Sequence, residues 1–404
     1  MSCDTPNLMP VETALTKIIE RAPLPQEFEY VYLEQAVGRV LAEDPIAKVD
    51  VPPADNSSMD GYAVDSAQFM SADAMLLRVS QRIPAGKAPS ALEERTAARI
   101  FTGAEIPAGA DAVVMQENVE LIGEQVLIKG PIKSRLNIRD QGQDIKLGSQ
   151  ILPKGSELKP QDVGLLASTG IEGVNVYRRI KVAIFSTGDE LVNPGETLQP
   201  GQIYNSNRFL LRSLLTKLGC DVVDLGRVED SAKETMNVLE EAAAQADCII
   251  STGGVSVGEE DYVKGAVEAL GALHLWRLNI KPGKPLAFGH VDQVPFFGLP
   301  GNPASTLITF CILVRPFIRA MRGCLPQDLL SFDVPAGFEK RKVGSRQEYV
   351  RARYEKGRLA LHANQSSGML SSASWANGIA VIRPNTPIMP NDLVEFIPFS
   401  ELFA

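Results

Sequence analysis

Five short polar or glycine-rich loops constrain the fold most, because each directly follows an apolar run of strand length. Four of the five lead toward a segment with helical periodicity. Successive units of this kind build a parallel sheet with helices on its faces, and ligands bind beyond the carboxyl ends of its strands. The loops comprise residues 187–190, 229–231, 251–256, 281–285 and 298–303. We therefore predict a three-layer α/β domain whose loops meet at one edge.

These loops carry two kinds of charge, with carboxylates in or directly after the first three and lysines in the fourth. Glycine-rich backbone beside such mixed charge suits a phosphate ester held together with a divalent metal. In isolation, Asp189 and Glu190 would be interpreted as a turn or a helix cap. Residues 191–199 form a long loop rich in Pro and Gly, so capping explains this acidic pair less well.

The third loop combines Ser251 with the adjacent glycines Gly253 and Gly254. Adjacent glycines allow backbone N–H groups to approach an anion, and hydroxyl groups add further donors. The acids at 259–261 open the next predicted helix, where the helix dipole favours negative charge. Capping explains one or two of these acids but not the glycines. The loop lacks the Gly-Lys-Ser/Thr ending of a Walker A motif and the spacing of a dinucleotide-binding motif.

The fourth and fifth loops suit an anion. A lone lysine pair usually lies in a solvated loop. Here a proline follows each of Lys281 and Lys284 and restricts the backbone, which favours fixed directions for the two side chains. Two lysines held in fixed directions suit an oxyanion. In the fifth loop, Asn302 and Pro303 match the N-cap and the first residue of a helix, and capping alone explains both. The approach through Pro300 also allows contact with a ligand at that helix N-terminus.

Length and charge exclude several classes of protein. At 404 residues the chain is too long for one compact core, so we predict about two to four domains. A net charge of −9 argues against general binding to nucleic acids or anionic membranes, which need a basic face. Any anionic substrate must therefore be held by a local basic patch.

The cysteines and the apolar segments indicate a soluble, cytoplasmic protein. The five cysteines are odd in number and widely spaced, which favours reduced core thiols and a cytoplasmic location. Residues 1–10 lack the pattern of a signal peptide. The longest apolar stretch, 307–317, is broken by Arg315 and Pro316, and we predict that it does not span a membrane.

The remaining periodicities divide the chain into helical and β-like stretches. Outside the α/β part, the pattern predicts helices at 10–22, 30–42 and 161–168, β-like runs within 75–129, and polar loops at 49–64 and 139–144. Inside it, we predict strands at 181–186, 221–228, 248–251 and 273–278, helices at 207–218, 232–246, 262–270 and 303–321, and a hairpin within 286–299. Residues 329–404 alternate short apolar runs with turns, which is typical of a small β-barrel or sandwich.

Several blocks of sequence resemble the molybdopterin molybdenumtransferase family, which includes MoeA and the E domain of gephyrin. The resemblance covers essentially the whole chain, and the order and spacing of the blocks make it specific. The blocks comprise residues 55–63, 101–104, 107–114 and 139–144, followed by the five loops.

The resemblance implies a multidomain α/β plus β protein. It has a three-layer α/β molybdopterin-binding domain, an inserted β-rich domain and a C-terminal β-barrel-like domain. The implied limits are 1–48 with 142–177 for an elongated N-terminal domain, 49–141 for the inserted domain, 178–325 for the α/β domain and 326–404 for the last. The resemblance further implies a homodimer, in which the inserted domain of one subunit faces the α/β domain of the other.

The implied reaction is the insertion of molybdate into adenylylated molybdopterin, which gives molybdenum cofactor and AMP with Mg²⁺ present. The pyrophosphate of that substrate needs charge neutralisation and an aligned metal. Transient contact with the molybdopterin adenylyltransferase and with cofactor-receiving enzymes is also implied. No nucleic-acid or membrane partner is expected.

The family pattern assigns roles to named residues. The catalytic candidates are Asp60, Glu190, Asp230 and Asp261, and the last three are hard oxygen donors suited to Mg²⁺. The substrate-binding candidates are Thr102, Arg139, Asp144, Ser251, Gly253, Gly254, Arg277, Lys281, Lys284, Pro300 and Pro303. Lys281 and Lys284 would hold oxyanions, and Asp60, Thr102, Arg139 and Asp144 would reach the cleft from the facing subunit. Arg277 stands where the family can have lysine, which keeps the charge but changes the geometry.

Two other functions stay open at this point. One is a non-catalytic scaffold of the gephyrin E-domain type, which would not need the carboxylates and lysines of the loops. The other is nucleotidyl transfer to molybdopterin, which is performed by proteins resembling the α/β domain alone. The turn at 364–368 could add donors to the cleft, although a polar surface turn explains it better. No role is assigned to Cys220, Cys248 or Cys311.

Overall fold

The computed structural model describes residues 8–254, 262–342 and 344–403. The chain is a multidomain mixed α/β protein with a β-rich N-terminal region, a central α/β domain and a β-rich C-terminal domain, as the sequence predicts.

The N-terminal segment contains one predicted helix and one corrected prediction. Helix Val11–Ile19 is found as expected, and it buries Val11, Ala14 and Ile18 at helical spacing. The prediction of a helix at 30–42 is wrong, because Phe28–Tyr32 is a strand and Leu33–Gln35 is a single 3₁₀ turn. The strand pairs antiparallel with Gly173–Tyr177, far later in the chain. This long-range pairing overrides the local apolar spacing.

A six-stranded sheet forms the β-rich N-terminal region, where the sequence predicts β-like runs. Its strands in spatial order are Ala112–Met115, Gly61–Val64, Thr96–Ile100, Ala74–Ile83, Gln125–Lys129 and Val119–Ile122. Short 3₁₀ turns occur at Ser66–Phe69 and Gln116–Asn118. The strands Asn56–Ser57 and Ile138–Arg139 pair antiparallel and so join the two predicted polar loops. The predicted helix at 161–168 is also present, as Pro160–Ser168.

The central domain is built on a second six-stranded sheet. Its strands in spatial order are Asp221–Val228, Lys181–Thr187, Cys248–Thr252, Val294–Leu299, Pro285–Val291 and Gly271–Arg277. The first four are parallel, and the fifth and sixth each run antiparallel to the strand before them. The sheet is therefore mixed, and its fourth and fifth strands, Val294–Leu299 and Pro285–Val291, form the predicted hairpin.

Helices cover both faces of this sheet, which confirms the three-layer arrangement. Helix Ser206–Lys217 and the segment Pro303–Met321 pack on one face. Helices Ala232–Gln245 and Tyr262–Leu270 pack on the other. Two short strands, Leu191–Val192 and Ile203–Tyr204, pair with each other after the loop that follows Lys181–Thr187.

The segment Pro303–Met321 is continuous but not uniformly α-helical. It runs as Pro303–Thr309, a π-helical turn at Phe310–Val314, and Arg315–Met321. The π turn ends two residues before Pro316, which cannot donate to the helical ladder. By length and composition this helix could cross a membrane, but 83% of its apolar window is buried inside the protein. Its hydropathy is that of a core helix.

The C-terminal domain is a mixed sheet with a contribution from the central domain. Its strands in spatial order are Ile280–Lys281, Gln347–Glu355, Gly378–Ile382, Leu393–Pro398 and Phe332–Pro335, with Arg358–Leu361 paired on Gln347–Glu355. Short helices lie at Ser371–Trp375 and Phe399–Leu402. The strand Ile280–Lys281 comes from the lysine loop, so this loop connects the two sheets. The domain limits given above stay predictions.

Three of the cysteines are core thiols, as predicted. Cys220, Cys248 and Cys311 are buried and free. Burial raises the pKa of Cys220 and Cys311 to about 12 each. These thiols are therefore protonated and unreactive near neutral pH.

Candidate active site

All five predicted loops leave the central sheet at the same edge. Four parallel strands end there, namely Asp221–Val228, Lys181–Thr187, Cys248–Thr252 and Val294–Leu299. Gly271–Arg277 runs in the same direction, because two successive antiparallel pairings relate it to Val294–Leu299. The lysine loop 281–285 therefore lies at the carboxyl edge with the other four loops. The third loop is described only as far as Gly254.

A buried polar network lies at the ends of the neighbouring strands Lys181–Thr187 and Cys248–Thr252. The Oγ atom of Ser186 is 2.9 Å from Oγ1 of Thr252 and 3.4 Å from Oδ1 of Asn205. The Asn205 side chain also caps helix Ser206–Lys217. Nδ2 of Asn207 donates to the Gly301 carbonyl at 2.8 Å, which ties the helix to the loop 298–303. The loops of this edge are thus held by side chains from a neighbouring helix.

The paired glycines are required by close packing. Gly253 and Gly254 have φ values of +86° and +62°, in the left-handed region that favours glycine. A Cβ atom on Gly253 would lie 2.6 Å from the Thr187 carbonyl oxygen, and one on Gly254 would lie 2.5 Å from Cγ2 of Val263. The N–H group of Gly253 already donates to the Leu299 carbonyl at 3.3 Å. The predicted anion contact of these two residues stays a prediction.

Replacing Gly253 with Ala should lower the free energy of unfolding by about 1–3 kcal/mol, because alanine disfavours this φ and its Cβ would overlap the Thr187 carbonyl. Urea denaturation measures the change. Gly301→Ala is the matched control on the neighbouring loop, since a Cβ atom there meets nothing within 4 Å and its φ is not positive. Equal losses in the two variants would contradict the packing explanation.

Two of the three predicted metal-binding carboxylates lie beyond neighbouring strands. Thr187 and Val228 are paired in the sheet, and Glu190 and Asp230 follow them by a few residues. Glu190 is exposed, and its carboxylate folds back over Gly188. Asp261 lies outside the described residues. Within residues 8–254, 262–342 and 344–403, no group of three or more His, Cys, Asp or Glu residues is placed to hold a metal. The metal assignment therefore stays a prediction.

The two lysines of the fourth loop have different environments. Nζ of Lys281 is 3.3 Å from Oε1 of Glu348, whose other oxygen is 3.0 Å from Nζ of Lys340. Lys284 is half-buried, and among the described residues its ammonium group has no hydrogen-bond or ion-pair partner. Arg277 is exposed at the end of its strand. Lys284 is therefore the cation of this loop that is best prepared to accept an anion.

Arg351 is a buried cation that the sequence interpretation missed. It is 1% exposed, and its Nε and Nη2 atoms donate to the Ser372 hydroxyl at 3.0 Å and to the Ser366 carbonyl at 2.9 Å. No carboxylate pairs with it in the part of the chain that the structure describes. Burial holds the pKa of this guanidinium below its ordinary value. Because a buried cation without a counter-ion is costly, Arg351 is suited to an anionic ligand.

The turn at 364–368 links Arg351 to the edge of the central sheet. The Ser367 carbonyl accepts a hydrogen bond of 2.9 Å from the Ala304 N–H, in the first turn of the helix that follows loop 298–303. Asn302 occupies the N-cap position of that helix as predicted, but its side chain makes no capping hydrogen bond. Instead, the Ser367 carbonyl of the C-terminal domain accepts a hydrogen bond from a free N–H group at the start of this helix. The turn at 364–368 is therefore more than a polar surface turn.

Asp60 and Thr102, from separate blocks of the sequence, are in direct contact. Oδ1 of Asp60 accepts hydrogen bonds from the backbone N–H of Thr102 at 2.8 Å and from its hydroxyl at 2.9 Å. These bonds, together with the charge of Arg99, hold the pKa of Asp60 below its usual range. Asp60 is therefore a carboxylate at neutral pH.

Arg139 and Asp144 belong to the polar loop beside that contact. Arg139 is exposed and is paired in a short sheet with Asn56, in the segment that precedes Asp60. Asp144 is exposed, and its N–H donates to the Val51 carbonyl. In the described residues of one chain, no hydrogen bond or ion pair joins the side chains of Asp60, Thr102, Arg139 or Asp144 to the five loops. Their position on a facing subunit stays a prediction.

Three protein-family models match consecutive parts of the chain. Residues 9–170 match the MoeA N-terminal region (domain I and II), residues 183–320 match a probable molybdopterin binding domain, and residues 333–399 match the MoeA C-terminal region (domain IV). A molybdopterin molybdenumtransferase of Haemophilus influenzae is 39% identical over 98% of this chain and 100% of its own length. The chain belongs to the MoeA family of molybdopterin molybdenumtransferases. It is accordingly a transferase of molybdenum cofactor biosynthesis.

Other MoeA-family proteins support this membership. A molybdopterin molybdenumtransferase of a Nostoc species is 36% identical over 93% of this chain and 90% of its own length. The crystal structure of a molybdopterin biosynthesis moeA protein from Pyrococcus horikoshii OT3 is 30% identical. It matches with a TM-score of 0.85 over 97% of this chain and all of that one. The likeness therefore extends across all regions of the chain.

Among the residues that the sequence interpretation missed, Asn205 and Asn207 carried a local signal. They stand at the start of a predicted helix, where an N-cap is expected. Arg351 carried no such signal, since it lies inside an ordinary strand pattern, and only the tertiary structure reveals its burial and its lack of a carboxylate partner.

Proposed function

We propose that the protein inserts molybdate into adenylylated molybdopterin, with Mg²⁺-dependent release of AMP. The observation that supports this most is that the carboxylate loops and the lysine loop leave the central sheet at the same edge. A substrate that joins a phosphoanhydride to an incoming oxyanion needs both kinds of group in one cleft.

Glu190 and Asp230, with Asp261 added from the sequence, would hold Mg²⁺. Their oxygen atoms are of the type that this ion prefers, and Mg²⁺ commonly takes one or two protein carboxylates together with substrate phosphates. Two carboxylates beyond adjacent strands fit that requirement. The chemistry supplied by the bound ion would be neutralisation of charge on the phosphoanhydride.

Lys284, Lys281 and Arg351 would bind the molybdate oxyanion. Lys284 and Arg351 support this role because neither is neutralised by a carboxylate in the described part of the chain. Glu348 would orient Lys281, whose ammonium group it contacts. Arg277 would assist from the end of its strand.

The nucleotide and pterin would lie along the remaining loops. Ser251, Gly253 and Gly254 would contact the phosphate side, and Pro300 and Pro303 would line the approach at the helix start.

In a homodimer, Asp60, Thr102, Arg139 and Asp144 of the facing subunit would complete the cleft. The protein would act in the cytoplasm, in transient contact with the adenylyltransferase that supplies its substrate and with enzymes that receive the cofactor.

Release of AMP from adenylylated molybdopterin, in the presence of molybdate and Mg²⁺, tests this function. Lys284→Ala should raise the KM for molybdate about 10–100-fold, because a hydrogen bond to a charged group contributes about 1.5–3 kcal/mol. The control is Lys233→Ala, an exposed lysine just past the same sheet edge, which should leave the KM nearly unchanged. Equal effects would indicate general charge attraction and not a molybdate contact.

The same assay separates the other functions. If no AMP is released under conditions in which a known family member works, the scaffold function would gain support. Conversion of ATP and free molybdopterin into the adenylylated form would instead indicate nucleotidyl transfer.

A further inference from the structure

Arg99 occupies a row of side chains on one face of the N-terminal sheet. It lies in strand Thr96–Ile100, opposite Tyr62 on one neighbouring strand and opposite Arg82 on the other. Phe101 follows two residues later on the same face. Thr102 and Asp60, whose contact is described above, lie at the ends of these same strands.

The guanidinium of Arg99 contacts Gly61, which follows Asp60, and Gln116, whose backbone contacts Asp60. Nη1 donates to the carbonyl of Gly61 at 3.1 Å, and Nη2 donates to Oε1 of Gln116. The N–H of Gln116 in turn donates to the Asp60 carbonyl at 3.0 Å. Three hydrogen bonds therefore connect Arg99 to the backbone that carries Asp60.

Two aromatic rings also contact the guanidinium of Arg99. Its guanidinium carbon is 4.7 Å from the centroid of the Phe101 ring and 5.2 Å from that of Tyr62. Phe101 directly precedes Thr102, and Tyr62 follows Asp60 by two residues. Stacking on both rings fixes the guanidinium plane relative to both halves of the pair.

We propose that Arg99 is a positioning residue that holds Asp60 and Thr102 in the geometry required by the proposed reaction. The inference rests on the proposed function, which gives Asp60 its role. Arg99 acts on the substrate only through Asp60 and Thr102.

The electrostatic surroundings of Asp60 support this role. The charged and titratable groups on the elements packed against it are Arg99, Arg82, Tyr62 and, beyond Gln116, Glu117. Arg99 is the charged group that lowers the pKa of Asp60, in addition to the Thr102 hydrogen bonds. Without Arg99, the pKa of Asp60 should rise toward its ordinary value, and the carboxylate should be lost at a higher pH.

Arg82 is a matched control. Its guanidinium carbon is 4.5 Å from the centroid of the same Phe101 ring, and it carries the same charge. Among the described residues, however, its side chain donates no hydrogen bond to the segment that carries Asp60. Arg82→Ala therefore removes a stacked cation but keeps the hydrogen bonds that connect Arg99 to the backbone around Asp60.

The experiment measures the Asp60 carboxyl pKa by ¹³C NMR, assigned with Asp60→Asn, together with the pH profile of kcat/KM for AMP release. In Arg99→Ala we expect a raised Asp60 pKa, an acid limb displaced to higher pH, and a loss in kcat/KM on the order of a hundredfold. Arg99→Lys keeps the charge but not the planar contacts, so it should retain more of the pKa shift than of the activity. Arg82→Ala should leave the Asp60 pKa nearly unchanged and should change kcat/KM by no more than about twofold.

Two results would overturn the inference: an unchanged Asp60 pKa in both Arg99 variants, or an equal change in Arg82→Ala. If the wild-type protein releases no AMP, the proposed function fails. The NMR titration would still decide whether Arg99 controls Asp60, because it does not depend on turnover.

Discussion

Glu190→Gln should lower the rate of AMP release on the order of 10²–10³-fold, because it removes a negative oxygen donor where the phosphoanhydride and its metal are proposed to bind. The residue is exposed beyond a buried strand and packs over Gly188, so the substitution should leave folding intact. Steady-state AMP release at several Mg²⁺ concentrations measures the effect. The loss should be partly recovered at high Mg²⁺ if the carboxylate serves mainly in metal binding.

The control is Glu196→Gln, which removes the same charge from an exposed position in the loop that follows. It should retain nearly full activity. Mixing the Glu190→Gln and Asp60→Asn proteins tests the shared cleft as well. If each cleft takes Glu190 from one subunit and Asp60 from the other, a mixed dimer would contain one intact site. Wild-type activity in Glu190→Gln would remove the basis of the proposed metal site.

Glu157→Ala should lower the free energy of unfolding by about 3–5 kcal/mol, because it leaves the buried Arg322 and the half-buried Arg319 without their counter-ion. The Glu157 carboxylate accepts hydrogen bonds from Arg319 at 2.7 Å and from Arg322 at 2.8 Å. Arg322 is 5% exposed and also donates to the Gly38 carbonyl. These bonds join the N-terminal segment to the last helix of the central domain. Urea denaturation measures the loss.

The pH dependence of this stabilisation has a defined sign. Burial alone would raise the pKa of Glu157, but the charges of Arg322 and Arg319 outweigh it and hold the pKa below its ordinary value. The stabilisation is therefore present above the ordinary carboxyl pKa and is lost as the pH falls through the lowered one. The difference between wild type and Glu157→Ala should shrink in acid. Glu172→Ala, at an exposed glutamate nearby, should show neither effect.

The sequence predicts the central domain well because its signals are local. Apolar runs alternate with helical periodicity, and glycine, proline and capping residues mark the loops. Helix Tyr262–Leu270 and strand Asp221–Val228 were predicted to the residue. The five loops share one edge because successive strand–loop–helix units run in the same direction and have the same handedness. This property does not depend on individual side-chain contacts.

Local sequence patterns predict the wrong structure where a segment pairs with a strand far away in the chain. Residues 30–42 have helical spacing, but Phe28–Tyr32 forms a strand with Gly173–Tyr177. The stabilisation comes from a partner that no window around residue 30 contains. The main-chain cap that Ser367 provides for Ala304 is missed for the same reason.

The sequence by itself determined the layered α/β fold, the loops that carry charge, and the chemical types of the candidate groups, because periodicity and turn chemistry are properties of neighbouring residues. Only the tertiary structure decided which charges are compensated. It pairs Lys281 with Glu348, 67 residues later, leaves Lys284 without such a partner among the described residues, and buries Arg351 against hydroxyl and carbonyl groups. The physical reason is that the free energy of a charge depends on its burial and on its nearest counter-charge, and both are set by residues far apart in the chain.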